Sequence, residues 1–340
     1  MEQNFKRQQP LMVTIRCIVY NQEAYIRDCL EGFVMQKTNF RFEAIVHDDA
    51  STDGTAEIIK EYAEKYPDII KPILETENQY SKHDGSLRRI MDEHTHGKYV
   101  AYCEGDDYWI DPLKLQKQVD FLESHPDYSM CWTNAFKEFI NGREAFDCYP
   151  ESCQSPMEDI IERGGGFIPT CSIVLRKQVL DKMPYKMRTF FVGDYPLQMW
   201  CGWSGKCWYL EKPFAVYRLM SQGSWTQKNY SQKNMTVFWR NFNGEKKIID
   251  VCNQIFKFQY NESFEKHAAK NLYNLCMIYK QYKLAVPYLV LRKKYGYHVG
   301  KAELMYIKGY PFLGKILEVC IKVKYLVKNY YGRFNHNTGI

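Results

Sequence analysis

The chain begins with a short apolar, β-branched run from Met12 to Tyr20, then places apolar residues at helical spacing between Asn21 and Val34, at Ile26, Leu30 and Phe33. That change of period predicts a strand followed by a helix. The pattern then repeats. Phe42 to Val46 reads as a second strand ending in His47-Asp48-Asp49, and Ile58, Ile59, Tyr62, Ala63 and Tyr66 form a helical stripe stopped by Pro67. Ser51, Thr52 and Asp53 are the expected caps of that helix. Ile69 to Leu74 and Tyr99 to Cys103 read as the third and fourth strands. Asp111-Pro112 then offers a cap with proline at the first helical position, ahead of the stripe Leu115, Val119 and Leu122.

Strands alternating with helices predict a mostly parallel, doubly wound α/β sheet. Beyond about residue 230 the pattern becomes helical throughout. Phe238-Trp239, Phe242, Ile248, Ile249, Val251, Ile255 and Phe256, and later Leu272, Leu275, Ile278 and Tyr279, recur at roughly helical spacing. From Pro311, the positions Leu313, Ile316, Cys320, Val323 and Val327 make a further stripe with Lys315, Lys322, Lys324 and Lys328 around it. The expected organisation is a sheet domain over residues 1–228, split into halves at about 11–110 and 111–228, and a helical region over 229–340.

Composition narrows the setting. The 340 residues can bury a substantial core, and the net charge of +6 is mild. The charge is unevenly placed, with ten Lys or Arg between Leu291 and Ile340 against Glu303 and Glu318 alone. Such a basic end suits an anionic membrane surface or simply a solvated face; no nucleic-acid partner is expected. The 12 cysteines are scattered without metal-ligand spacing, which predicts reduced, buried thiols in a cytoplasmic protein. Arg16 interrupts the first apolar run and no apolar run reaches 18 residues, so neither a secretory signal nor a spanning helix is expected.

The densest chemistry lies in Tyr102-Cys103-Glu104-Gly105-Asp106-Asp107-Tyr108-Trp109, where three carboxylates fall within four residues at a strand end. Like charges so close repel unless a cation sits among them, so the cluster is a candidate divalent-metal site. Ligands of doubly wound sheets bind beyond the carboxyl ends of the strands, where Asp48 and Asp49 also fall. The two acidic clusters are therefore expected to converge on one crevice.

Three motifs in order, Val19-Tyr20-Asn21-Gln22-Glu23, His47-Asp48-Asp49-Ala50-Ser51-Thr52-Asp53-Gly54-Thr55 and Gly97-Lys98-Tyr99 leading into Glu104-Gly105-Asp106-Asp107, resemble the family 2 inverting glycosyltransferases of GT-A fold, of the bacterial surface-polysaccharide type. The resemblance covers roughly residues 11 to 225. It implies that Val19, Tyr20 and Glu23 line the nucleobase and ribose pocket, and that Asp49, with Asp48, accepts a hydrogen bond from the base, favouring uracil or thymine. Helix capping is the alternative for that pair. Glu104-Gly105-Asp106 stands where the family has its DxD motif, with Glu in place of the first Asp. Glu104 would meet the ribose, and Asp106 would bind Mn²⁺ or Mg²⁺ with Asp107 in support. Lys82, Arg88 and Arg89 lie where relatives place basic residues near the diphosphate or sugar.

An inverting transfer also needs a base for the acceptor hydroxyl. The resemblance assigns it to Asp194, in Phe191-Val192-Gly193-Asp194-Tyr195-Pro196-Leu197, where Gly193 replaces a common acid; a plain helix cap is the alternative. Phe167-Ile168-Pro169-Thr170-Cys171-Ser172 resembles a strand lining the acceptor site. Tyr217-Arg218-Leu219-Met220-Ser221 resembles a segment in which many relatives carry a His near the metal, and here Met220 or Ser221 stands in its place. Gln222, Ser224 and Trp225 are a candidate lid.

The expected activity is therefore transfer of a sugar from a nucleoside diphosphate, UDP foremost, to a saccharide or lipid-linked saccharide in polysaccharide biosynthesis, in the cytoplasm or peripherally at the inner face of the membrane. Two rivals stand beside it. One is a sugar-phosphate nucleotidyltransferase, although Tyr20-Asn21-Gln22-Glu23 is no Gly-rich nucleotide loop. The other is a non-catalytic sugar- or lipid-binding protein on a transferase scaffold, against which the retention of Asp49, Asp106 and Asp194 argues.

Overall fold

In the computed structural model, residues 9–139, 141–219, 221, 227 and 234–308 are described. Ten strands run in the order β1 Leu11–Val19, β2 Arg41–Asp48, β3 Ile70–Leu74, β4 Tyr99–Tyr102, β5 Tyr108–Trp109, β6 Tyr128–Phe139, β7 Gly142–Ala145, β8 Cys153–Ser155, β9 Val174–Arg176 and β10 Lys206–Arg218. Between them lie the helices α1 Ile26–Val34, α2 Thr55–Lys65, α3 Ser86–Glu93, α4 Lys114–Ser124, α5 Met157–Arg163, α6 Lys177–Asp181, α7 Tyr185–Arg188 and α8 Asp194–Ser204. All ten strands join one sheet, whose main path is β3-β2-β1-β4-β9-β6-β10-β5.

The first half follows the alternation in the sequence. β3, β2, β1 and β4 are parallel neighbours, joined through α1, α2 and α3. Val13, Ile15 and Cys17 of β1 are fully buried, and so are Thr14 between them and Ala44 and Val46 of β2. A parallel sheet covered on both faces produces such continuous apolar runs. Ile26, Cys29, Leu30 and Phe33 are the buried stripe of α1, and Phe33 meets the Trp109 ring edge-on at 5.0 Å. The register brings Val19 opposite Asp48 and Arg16 opposite Tyr102, so the strand ends that carry the motifs share one edge.

Past β4 the sheet is mixed. β9 runs antiparallel to both β4 and β6, β6 and β10 are parallel, and β5 and β8 pair antiparallel with β10. The expected parallel arrangement thus holds for the first four strands, and short returning strands complete the rest. Two local readings are corrected. The fourth helix starts at Lys114, with Asp111 Oδ1 accepting the Leu113 N–H at 2.7 Å, two residues later than Pro112 suggested. Residues Phe167 to Ser172 form no strand: Pro169 precedes a 3₁₀ turn over Thr170–Ser172, and β9 begins only at Val174. In α4, Lys114 and Gln118 are fully buried beside the expected stripe.

The chain divides into two compact units, residues up to 232 with 254–256, and residues 233–253 with 257 onward. The second is built from α9 Met235–Ile255, α10 Asn261–Ile278, α11 Tyr282–Lys294 and α12 Lys301–Ile307. Phe238, Phe242, Leu272, Tyr273, Cys276, Ala285 and Leu289 form its core. Trp239 and Ile278, expected in the apolar stripes, are 42% and 62% exposed. The stripe from Pro311 lies outside the described residues. Among the described residues no helix is long and apolar enough to cross a membrane, and the 11 described cysteines are all free thiols, most of them buried.

Candidate active site

Two strand-end loops are tied to each other by the motif residues. Asn21 and Ala50 take left-handed backbone angles, φ 52 and 62, which turn the chain sharply after β1 and β2. Asn21 donates its N–H to Ser51 Oγ at 2.8 Å and accepts the Thr52 N–H on Oδ1 at 2.7 Å. Gln22 and Glu23 donate to Thr55 Oγ1 and Asp53 Oδ2 at 2.9 and 3.1 Å, and Gly54 N–H returns to Glu23 Oε2 at 3.0 Å. Of the three expected caps, only Asp53 serves the helix start, accepting the Thr55 N–H at 3.0 Å; Ser51 and Thr52 join the loops instead.

Asp48 and Asp49 are each 2% exposed and face different partners. Asp48 accepts both the hydroxyl and the N–H of Ser51, and burial raises its carboxyl above the usual range while the Ser51 bonds oppose that shift. Asp49 accepts the Gln79 N–H on Oδ1 at 2.6 Å and the Tyr80 N–H on Oδ2 at 3.1 Å. Each Asp49 oxygen keeps a second lone pair. Around this pair stand Tyr20 and Tyr80, 40% and 55% exposed, while Val19 is buried. Lys82 turns to Gln79 Oε1 at 3.0 Å and Glu77 at 3.1 Å. Arg88 donates to the Arg188 carbonyl at 2.9 Å, and Arg89 to the Asp84 carbonyl at 2.7 Å.

The three carboxylates after β4 point three ways. Gly105 lies flat against β1: a Cβ there would meet Val19 methyls at 2.8 and 3.0 Å and collide with the Gln22 amide oxygen. That close approach requires glycine between the two acids. Glu104 opens to solvent, yet it sits deep among protein atoms, and that crowding, then the charges of Asp106 and of Asp194, push it up to about 8. Asp106 is 7% exposed and accepts the Ser221 hydroxyl on Oδ2 at 2.5 Å. Asp107 turns inward: it is 1% exposed, its Oδ1 accepts the Arg218 N–H at 2.9 Å, and its Oδ2 has no hydrogen-bond partner among the described residues. Burial first, then Asp106 and Glu104, drive the Asp107 carboxyl far above the usual carboxylate range.

Arg218, which no motif singled out as a site residue, braces this loop. Its guanidinium donates to the Asp106 carbonyl at 2.9 Å, to Glu138 Oε2 at 2.9 Å and to Asp28, and lies over the Tyr108 ring at 4.4 Å. The only sequence signal is a charge closing the apolar run of β10. Below the loop, Lys114 Nζ donates to Gln118 Oε1 at 2.8 Å and stands 4.3 Å over the Trp109 ring. Gln118 in turn bonds the carbonyls of Cys131 and Ser172 at 2.8 and 2.9 Å, and Trp109 bonds the Cys171 carbonyl at 2.8 Å. The carboxylate loop and the Thr170–Ser172 turn thus rest on one buried frame.

Asp194 is the first residue of α8, where a negative charge is favoured by the helix N-terminus. Its Oδ1 accepts the Tyr195 N–H at 2.7 Å. The charge of Asp194 acts on Glu104, so the two carboxylates lie near each other. Met220, Gln222, Ser224 and Trp225 lie outside the described residues. Among those described, no three His, Cys, Asp or Glu side chains form a cation cage. Asp106, with Asp107 beside it, fits instead a cation held by one or two carboxylates and completed by substrate phosphate oxygens and water.

Comparisons with known proteins bear on the family and the fold. An uncharacterized protein of Mycobacterium tuberculosis is 37% identical over 214 residues, 63% of this chain and 60% of the relative's length. The S. aureus TarS 1–349 chain in complex with UDP-GlcNAc superposes with a TM-score of 0.58 at 18% identity, covering 82% of this chain and 80% of that one. The mannosyltransferase PcManGT from Pyrobaculum calidifontis, in complex with GDP-Man and Mn²⁺, gives a TM-score of 0.52 at 14% identity over 91% of this chain and 86% of its own. Both solved structures are similar in fold. The sequence model described as Glycosyl transferase family 2 matches residues 14–183, half of the 340-residue chain. The chain belongs to glycosyl transferase family 2.

Proposed function

We propose that the protein is a metal-dependent inverting glycosyltransferase moving a sugar from a nucleoside diphosphate, foremost a UDP-sugar, to a hydroxyl of a saccharide or lipid-linked saccharide acceptor in polysaccharide biosynthesis. The observation that supports the reading is that the charge of Asp194 reaches Glu104, which shares the loop after β4 with Asp106. A base and a leaving-group site on opposite sides of a reacting carbon are what a single displacement needs. The ligands of the two structural neighbours, UDP-GlcNAc in TarS and GDP-Man with Mn²⁺ in the mannosyltransferase, support a nucleotide-sugar donor and a divalent cation here.

In this reading Tyr20, with Val19 behind it, stacks against the nucleobase, and the spare lone pairs of Asp49, backed by Asp48, take the base imide N–H. Glu23 and Glu104 meet the ribose hydroxyls, and Lys82 and Arg88 approach the diphosphate and sugar. Asp106 holds Mn²⁺ or Mg²⁺, with Asp107 behind it. The cation, when bound, neutralises charge on the departing diphosphate. Asp194 takes the proton from the acceptor hydroxyl as its oxygen bonds to the anomeric carbon. The bond from that carbon to the diphosphate oxygen breaks, and the configuration inverts. Residues 1–228 would supply both halves of this site. Residues 229–340, with their basic C-terminal stripe, would bring it to an anionic membrane surface on the cytoplasmic side.

The test is thermal stabilisation of the purified protein by nucleotide sugars with and without Mn²⁺, because a ligand specific to the native state raises the melting temperature. Stabilisation by UDP-sugars that grows with Mn²⁺ is expected. Indifference to every nucleotide sugar overturns the reading.

A further inference from the structure

Around Arg88, placed above on the diphosphate and sugar side of the donor, lies a group of charges whose other members the transfer chemistry does not use. Arg16 of β1, Arg88 of α3 and Arg188 at the end of α7 gather around the single carboxylate of Asp92. Arg16 Nη1 meets Asp92 Oδ1 at 2.7 Å, Arg188 Nη1 meets Oδ2 at 3.4 Å, and Arg88 Nε stands 4.0 Å from Oδ2. Three guanidinium groups thus face one carboxylate, an excess of two positive charges. One arginine would suffice to pin α3 to the sheet, and the Arg16 side chain, 6% exposed, already does so. Arg188 is committed to the chain around it, donating to the carbonyls of Met183 and Asp181 at 2.8 Å each.

Arg88 is the member left incomplete. Its Nη1 donates to the Arg188 carbonyl, its Nε is buried without a hydrogen-bond partner among the described residues, and its side chain remains 30% exposed. Burial first, and then the repulsion of Arg188 and Arg16 against the pull of Asp92, hold it below the usual arginine range. A buried donor without an acceptor costs free energy, and an anion placed there would relieve both that cost and the repulsion.

Position says which anion. Arg16 is in register with Tyr102 and lies 5.8 Å from its ring. Tyr102 is two residues, roughly 7 Å of extended chain, before Glu104. Tyr102 also feels the charges of Arg188 and Asp92. The cluster therefore adjoins the loop that would hold the donor's diphosphate. A group at this place would be carried by the sugar in transit.

We infer that Arg88, backed by Arg16 and Arg188, is a subsite for a carboxylate on the transferred sugar, so that the donor is a nucleoside diphosphate uronic acid. This inference rests on the proposed nucleotide-sugar transfer. The experiment is calorimetric binding of UDP, UDP-glucose and UDP-glucuronate, with Mn²⁺, to the full-length protein and to its Arg88→Gln and Arg88→Lys variants. The expected result is that UDP-glucuronate binds at least tenfold more tightly than UDP-glucose, that Arg88→Gln brings the ratio near one, and that Arg88→Lys retains most of it. Equal affinities in the wild-type protein, or a ratio that survives Arg88→Gln, overturn the subsite and leave the transferase reading standing. Failure of UDP itself to bind overturns that reading, and the subsite with it.

Discussion

Ser221 donates its hydroxyl hydrogen to Asp106 Oδ2 across 2.5 Å, although the two residues are 115 positions apart in the chain. The bond links the segment after β10 to the acid proposed to hold the cation. A hydroxyl there orients the carboxylate and occupies one of its lone pairs, in the segment where resemblance led us to expect a histidine.

Groups that orient a metal ligand are commonly worth about 10- to 100-fold in metal affinity. Ser221→Ala is therefore expected to weaken Mn²⁺ binding by about tenfold or more while leaving the melting temperature of the metal-free protein nearly unchanged. Titration of Mn²⁺ followed by calorimetry checks this, and unchanged affinity would remove Ser221 from the site.

Glu104 gives a pH signature with a definite sign. Its carboxyl is raised from 4.5 to about 8 in the folded, ligand-free protein, so between those values the folded state holds a proton that the unfolded state has lost. The Glu104 contribution to the stability of the ligand-free protein accordingly falls as pH rises from about 4.5 through 8. Glu104→Gln should flatten that fall in a series of thermal melts. A cation favours the ionised acid, so Mn²⁺ binding at pH 7 should release a proton, on the order of one per cation, and none by about pH 10. Calorimetry in buffers of different ionisation enthalpy measures the release directly.

Arg218 joins Asp28, Glu138 and the Asp106 carbonyl, and its side chain is 12% exposed. Arg218→Gln should destabilise the fold by about 2–3 kcal/mol, the worth of hydrogen bonds to charged groups. The Arg218 N–H to Asp107 survives the change. Urea unfolding measures the loss, and a variant as stable as the wild type would contradict the bracing role.

The sequence exposes most of the first half of the fold because β1, β2 and β4 are buried on both faces, which leaves unbroken apolar runs. It hides the second half for a physical reason. β5, Tyr108–Trp109, and β8, Cys153–Ser155, are two and three residues long, too short to show any period. Asp106 stands out through charge density, and Asp194 only through the family resemblance. Ser51 and Thr52 mislead, because residues suited to capping a helix are equally suited to joining two loops. Arg218, Lys114 and the arginines around Asp92 stay hidden: charged residues on a strand or helix read as solvent-facing until the partner elements, dozens of residues away, are placed.

The central claim is that Asp194 removes the acceptor's proton while the acids after β4 hold the leaving group. Initial rates of sugar transfer from a UDP-sugar, measured for the wild type and Asp194→Asn with Mn²⁺ and with EDTA, test it most directly. The account predicts that Asp194→Asn lowers kcat by about 10²- to 10⁴-fold with donor affinity retained, and that EDTA abolishes turnover in both proteins. Transfer by Asp194→Asn at the wild-type rate in the presence of EDTA would contradict it.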